Sequence, residues 1–137
     1  MVIEGTLRRD HGFWLAEVPI LDAMTQARTR KEALCMAGDL VETLADAEGF
    51  KAVARSVGED RIQITCSDTR VLVALILRRQ RQCSGLSLAE VARRLKAKSR
   101  NGYARYEQGR SVPSVEKLTE LLQAVSGRDF VIRPSHT

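Results

Sequence analysis

Between residues 87 and 110 the sequence gathers side chains of the kinds that read nucleic acid. Arg100 and Arg105 each offer a planar guanidinium that can fork onto guanine O6 and N7. Asn101 offers an amide matched to adenine N6 and N7, and Ser87 and Ser99 offer hydroxyls suited to a phosphate or a base edge. Gly102 leaves room for close approach to a groove. Lys98 and Arg110, together with Arg93, Arg94 and Lys96, add charge at helix ends and turns, where a flanking phosphate backbone would lie. Ten basic and only two acidic residues fall between positions 78 and 110. A solvated basic face on an ordinary bundle has the same composition, so the elements that carry these residues decide between the readings.

From Asp68 onward the pattern predicts four helices separated by short polar turns, over 69–82, 87–95, 99–108 and 114–125, with a terminal strand over 129–133. Ser87 and Glu90 form a capping box at the start of the second, in which hydroxyl and carboxylate each satisfy an orphan backbone N–H. Val91, Ala92 and Leu95 supply the inward face of that helix, and Tyr103 and Tyr106 that of the third. The third helix then turns Ser99, Arg100, Asn101 and Arg105 outward. The apolar 129–133 edge is expected to pair either within its own chain or with a second copy.

The 137 residues carry a net charge of +5, but the two halves differ. Up to Ser67 there are eight basic and eleven acidic residues, and beyond it fourteen and six. A polyanion is attracted to the second half and repelled by the first, which argues for two modules, 1–67 and 68–137, with different partners. In the first, β-type runs over 2–9, 13–18 and 23–28 are punctuated by Asp10-His11-Gly12 and Pro19, which predicts a three-strand meander with the FWLA strand at its centre. Thr29 and Glu32 match a second capping box, and Leu34, Ala37, Val41 and Leu44 recur at helical spacing. After Gly49, the runs 52–57 and 61–65 flank Gly58-Glu59-Asp60 as a hairpin or as one strand extended through a turn. The fold class is therefore α+β, a small β-β-β-α-β sheet domain followed by an all-α helix-turn-helix bundle with a short terminal strand.

Other chemistry finds little footing. Cys35, Cys66 and Cys83 lie far apart, which indicates neither a disulfide framework nor a zinc knuckle, and free thiols suggest a cytoplasmic protein. The longest apolar run, 71–77, is too short to span a bilayer. A two-metal site would have to recruit Glu4, Asp10, Glu17 or Asp22, but Asp10 falls in a turn and their spacing does not converge. His11 and His136 support neither a triad nor a metal site, and no glycine-rich nucleotide motif is present, so neither an enzyme nor a cofactor is expected.

Two family resemblances follow. The stretch LSLAEVARRLKAKSRNGYARYEQGRSVPSVEKLTELL, residues 86–122, resembles the Xre-type (lambda-repressor-like) helix-turn-helix. Ser87 and Ser99 open the second and third helices, Glu107 and Gly109 form the glutamate-x-glycine that follows, and Pro113 and Ser114 open the fourth, with Leu118 turned inward. Leu88 stands where that family often has a glutamine, and the turn at 96–98 lacks the usual glycine and is one residue longer. The segment GFWLAEVPILDAMTQARTRKEAL, residues 12–34, resembles the HicB antitoxin pattern, although residues 19–23 replace its usual proline-rich loop.

Together the resemblances imply a partial ribonuclease H-like sheet without that enzyme's activity, a HicA-like RNA-cleaving toxin as protein partner, and double-stranded operator DNA as nucleic-acid partner. They further imply autorepression by a homodimer whose third helices enter successive major grooves about 34–36 Å apart. Asp10, Trp14, Glu17 and Asp22, with the helix carboxylates Asp39, Glu42, Asp46 and Glu48, are the candidate toxin contacts. The alternative is a one-component regulator whose first domain dimerises or binds a ligand, with Trp14 and Met24 or Met36 lining a pocket.

Overall fold

The computed structural model describes residues 1–97 and 100–135. Two compact units divide near residue 69. The first is an antiparallel sheet of five strands in the order β3-β2-β1-β5-β4, built from β1 (Val2–Asp10), β2 (Phe13–Val18), β3 (Ala23–Ala27), β4 (Ala52–Ser56) and β5 (Arg61–Cys66). The helix α1 (Arg30–Ala45) packs on one face of it. The meander is as expected, and 52–66 form a true hairpin, Ala54 opposite Ile64. Strand β1 is the middle of the sheet, with Leu7 opposite Ala16 on one side and Ile3 opposite Ile64 on the other. The FWLA strand, expected at the centre, lies one place out, because the final hairpin adds two strands beyond β1.

Side chains alternate across the pleat, so the pairings assign each residue a face. Ile3, Leu7, Trp14, Ala16, Val18, Ile62 and Ile64 share the side that α1 covers, and all but Trp14 are buried. Small residues bring α1 close: Ala33, Ala37, Gly38, Val41 and Ala45 form its buried stripe, while the expected Leu34 and Leu44 are only half-buried at its margins. A Cβ added at Gly38 would stand 2.6 Å from the Ala52 carbonyl oxygen, and one added at Gly5 would collide with the Glu17 carbonyl. Thr29 caps α1 by accepting from the Glu32 N–H at 3.1 Å, but the reciprocal half of the predicted capping box is not made. Between β2 and β3, Pro19–Leu21 form one 3-10 turn, closed by Asp22 in the left-handed region.

The second unit holds α2 (Thr69–Cys83), α3 (Leu88–Arg94), α4 (Arg100–Glu107) and α5 (Val115–Ser126). From Leu72 to Leu77 every residue of α2 is buried, so this helix is apolar all round and not along one stripe. The first three helices end in the same way. Gly85, Lys96 and Gly109 each adopt a positive φ, of 70°, 57° and 70°. The next N–H then reaches back to the fifth residue before it: Leu86 to the Arg81 carbonyl at 3.1 Å, Ala97 to that of Ala92 at 2.9 Å, and Arg110 to that of Arg105 at 3.0 Å. These are Schellman stops, and they account for helices that are short and sharply bounded.

The predicted terminal strand is not formed. Among the described residues no strand pairs with 129–133, since an edge becomes a strand only where a second backbone lies beside it. No described helix is long and apolar enough to cross a membrane.

The cysteines divide by burial. Cys35 and Cys83 are exposed and Cys66 is buried, which pushes its thiol up to about 11 from an ordinary value of 9.0. A raised value favours the folded state while the thiol is neutral, so this contribution is full below pH 9.0 and lost as the pH rises towards 11. A thiol reagent at pH 8 is expected to titrate two groups per chain quickly and the third only after denaturant is added. Three equally fast thiols would contradict the burial of Cys66.

Candidate nucleic-acid interface

Helix α4 follows α3 after a short turn, and its seating determines which of its residues face solvent. Tyr103, Ala104 and Glu107 are buried and Tyr106 is half-buried, whereas Arg100, Asn101, Gly102 and Arg105 are exposed. The inward face is therefore Tyr103, Ala104 and Glu107, broader and more polar than the tyrosine pair expected. Its anchor is Arg81, in the last turn of α2, whose Nε and Nη2 donate to the two Glu107 carboxylate oxygens at 2.7 and 2.9 Å. The pair is well shielded, with side chains 17% and 7% exposed. The third nitrogen, Nη1, donates to the Leu86 carbonyl at 3.0 Å, just ahead of α3. The Glu107 hydrogen bond raises the Arg81 guanidinium above its ordinary value, so the charge is permanent.

The Tyr103 hydroxyl lies buried beside this pair, with no hydrogen-bond partner of good geometry. Burial first, and the neighbouring Glu107 second, push its ionisation well up, so it stays a neutral phenol. Sequence reasoning placed Glu107 in a motif but missed Arg81. Arg81 is one of three arginines in the last turns of α2, with Arg78 and Arg79, and its partner lies 26 residues further along the chain, so no local signal singled it out.

Helix α3 is fixed at both ends. Ser87 accepts from the Glu90 N–H at 3.1 Å while the Glu90 carboxylate accepts from the Ser87 N–H at 3.2 Å, completing the predicted capping box. The Ser87 backbone N–H, and then its hydroxyl, hold the Glu90 carboxyl below its usual range. Val91 and Ala92 are buried and Leu95 half-buried. Arg94 reaches over to donate from Nη1 to the Ala124 carbonyl at 3.1 Å, which ties α3 to the end of α5. In α5, Leu121, Leu122, Ala124 and Val125 are buried and Leu118 half-buried. At the end of α3 Lys96 occupies the left-handed position where a glycine was missed in the sequence, so the stop forms despite the substitution.

The basic residues thus divide into two sets. Arg81 and Arg94 hold the unit together, while Arg93, Lys96, Arg100, Arg105 and Arg110 stand exposed on or next to α3 and α4. Of the predicted DNA-reading set, α4 brings together Arg100, Asn101, Gly102 and Arg105, Ser87 lies exposed at the cap of α3, and Arg110 follows the stop of α4. Lys98 and Ser99 lie outside the described residues.

The residues predicted to meet a protein partner do not form one patch. Asp10 and Glu17 lie on the sheet face away from α1, Glu17 paired with Arg8 at 3.0 Å and Asp10 bonded to His11 at 2.7 Å. Trp14 lies on the α1 side, with the guanidiniums of Arg9 and Arg30 5.9 and 6.0 Å from its ring centroid. Arg30 also donates to Ser56 Oγ and to the carbonyls of Gly58 and Glu59, pinning the β4–β5 turn to the start of α1. Asp22 is exposed at the 3-10 turn. Among the described residues no three histidine, cysteine or carboxylate side chains gather in a way that would hold a metal ion.

Replacing Arg81 by Met leaves the Glu107 carboxylate shielded and unpaired, and the second unit is expected to lose about 3–5 kcal/mol. Removing both partners, with Arg81→Met and Glu107→Leu together, should restore most of it. Urea unfolding of both variants measures the difference, and a double variant as unstable as the single one would contradict a buried pair.

No curated protein matches the chain. Residues 73–127, from early α2 to the cap that ends α5, match the family model described as a helix-turn-helix domain, a likeness that supports DNA binding by this segment.

Proposed function

We propose that the protein is an antitoxin and autorepressor: its second unit reads operator DNA in the major groove through α4, and its first sequesters a small basic RNA-cleaving toxin of the HicA kind. The DNA half rests on one observation, the exposed set Arg100, Asn101, Gly102 and Arg105 on a helix whose opposite face is clamped by Arg81 and Glu107. Arg100 and Asn101 supply base readout, while Ser87, Arg105 and Arg110, with Lys98 and Ser99, supply phosphate or base contacts. Gly102 supports a close approach. Nothing lies within 4 Å of where its Cβ would be, so no internal contact requires glycine in a helix that glycine weakens. A DNA surface is the neighbour that would.

The toxin half rests on α1. Glu32, Asp39 and Asp46 recur every seven residues along its exposed side, with Met36 and Cys35 between them and Glu48 just beyond. Asp46 and Glu48 lie at the helix C-terminus, where the helix dipole disfavours negative charge, and no basic residue occupies the last turn. Carboxylates there weaken the helix, which is intelligible if they meet a basic partner. An acidic stripe flanking a partly exposed methionine fits the RNA-binding face of a small ribonuclease. Repression by this reading uses a homodimer, since one small module seldom binds an operator tightly enough alone.

The two halves separate by mutation. Arg100→Ala with Asn101→Ala is expected to remove operator selectivity in a gel-shift competition while toxin capture stays intact. Asp39→Lys with Asp46→Lys should do the reverse, and equal loss of both functions in either variant would contradict two modules. Gly102→Ala carries opposite signs: helix propensity raises stability by up to about 1 kcal/mol, while operator affinity falls. Unchanged affinity would remove the close-approach argument. The first experiment is affinity purification of the tagged chain co-expressed with its neighbouring genes. A stoichiometric small basic protein that cleaves RNA when freed supports the antitoxin; its absence, with DNA binding retained, favours a plain regulator.

A further inference from the structure

The sheet of the first unit ends in two edge strands, β3 and β4, and they are finished differently. Backbone N–H and C=O groups alternate in direction along a strand. The Val57 N–H donates to the Arg61 carbonyl and the Lys51 carbonyl accepts from Ser67, so the groups of Ala52, Ala54 and Ser56 point away from β5. Helix α1 closes that side. The Ala52 N–H donates to Glu42 Oε1 at 2.9 Å, and a Cβ on Gly38 would stand 2.6 Å from the Ala52 carbonyl oxygen and 3.6 Å from the Ala54 nitrogen.

At the other edge the alternation starts from the Leu7 N–H, which donates to the Asp60 carbonyl on the β5 side. The backbone groups of Arg8 therefore face β2, those of Leu15 opposite it face β1, and those of Ala16 face β3. Thr25 pairs with Ala16, which directs the N–H and C=O groups of Met24 and Gln26 outward. Both residues are exposed, Met24 at 56%, and among the described residues no strand lies beyond β3. Native edges are commonly blunted by a lysine, a proline, a bulge or a charge. The β3 sequence, Ala-Met-Thr-Gln-Ala, holds no lysine, proline or charge, and its register with β2 is unbroken.

The flank of α1 on this side is apolar and incompletely covered. Gly38 and Glu42 mark the flank beside β4, and Leu40 and Leu44 lie across the buried stripe from them, towards β3. Both leucines are half-buried, and Met36, one turn before Leu40, is 39% exposed. A sixth strand beside β3 would turn alternate side chains onto this flank. Past Met36 the helix surface continues into Glu32, Asp39 and Asp46.

We infer that β3 is the docking edge for an extended segment of the basic protein partner, which adds a sixth strand to the sheet. Main-chain bonds to Met24 and Gln26 set the register, the α1 flank covers the apolar side chains, and the carboxylates beyond it draw the basic ones. A second copy paired there would bring its own α1 and the same carboxylates to that face, so like charges oppose it. The identity of the partner rests on the antitoxin reading above; the open edge does not.

Amide hydrogen exchange on the full chain reads the edge directly, with the small basic protein retained in co-expression as the probe. In the free chain the Met24 and Gln26 amides are expected to exchange about tenfold or more faster than that of Ala52, which Glu42 holds. Adding the probe should slow both by about tenfold or more and leave Ala52 little changed. Gln26→Pro removes an outward N–H and none of the bonds from β3 to β2. It should weaken capture about tenfold with operator binding unchanged. Leu40→Asp, which alters the apolar flank and no backbone group, should weaken capture as well. Melting temperatures separate loss of capture from loss of fold, and the exchange measurement decides on the native chain if Gln26→Pro does not fold.

A retained probe that leaves the Met24 and Gln26 amides fast overturns edge docking alone and keeps the antitoxin reading. Slow exchange of those amides in the free chain, speeding up on dilution, would place a second copy there and also overturn it. If no basic protein is retained, both readings fall together.

Discussion

One guanidinium fixes the geometry of the DNA-binding unit. Arg81 directs its three nitrogens to the Glu107 carboxylate and the Leu86 carbonyl, so the last turn of α2, the approach to α3 and the end of α4 meet at a single side chain. A shielded ion pair contributes little net stability over an apolar substitute of the same shape, but a half-removed one is expensive. Arg81 and Glu107 therefore tolerate only arrangements in which both are satisfied, and that restricts the rotation of α4 about its axis. With Glu107 and Tyr103 one turn apart on the inner side, Arg100, Asn101 and Arg105 have only the outer side to occupy.

The ends of the helices matter as much as their faces. A helix that overran by one residue would release the chain about 100 degrees further round its axis and so misdirect the element that follows. The three Schellman stops at Gly85, Lys96 and Gly109 prevent this, and the capping box at Ser87 fixes the start of α3. In the first unit the equivalent constraint is distance. With Gly38 against the Ala52 carbonyl, α1 lies too near the sheet to shift along it without meeting backbone. The result is a stripe of small residues buried beneath an outer face whose composition is free to serve another purpose.

What was legible in the sequence was local. The meander, the capping box at Ser87, the four helices and the outward residues of α4 follow from period, turn residues and caps, which depend on neighbours in the chain. What was not legible depends on distant partners. Arg81 looked like one more member of a basic cluster because its partner is 26 residues away. Lys96 looked like a missing glycine because the stop is made by backbone geometry that a lysine can adopt at a modest energetic cost. Glu32 matched a capping box, but only the Thr29 half of it forms. Asp10, Trp14, Glu17 and Asp22 are near in sequence, yet the pleat sends Trp14 to one face of the sheet and Asp10 and Glu17 to the other.

Charge acts locally in this protein. At physiological ionic strength a field decays over about 8 Å, so the net charge of +5 describes neither unit. What a partner meets is the arrangement within one Debye length. Around α4 that is Arg100, Arg105 and Arg110 with no exposed carboxylate in that helix, because its one acid, Glu107, is buried against Arg81. Along α1 it is Glu32, Asp39 and Asp46, whereas on the opposite sheet face Glu17 is already neutralised by Arg8. Two surfaces of opposite sign, each assembled by its own unit, can select different partners, because the charge that attracts one repels the other. Acidic and basic residues mixed evenly over one face would hold the same net charge and select neither.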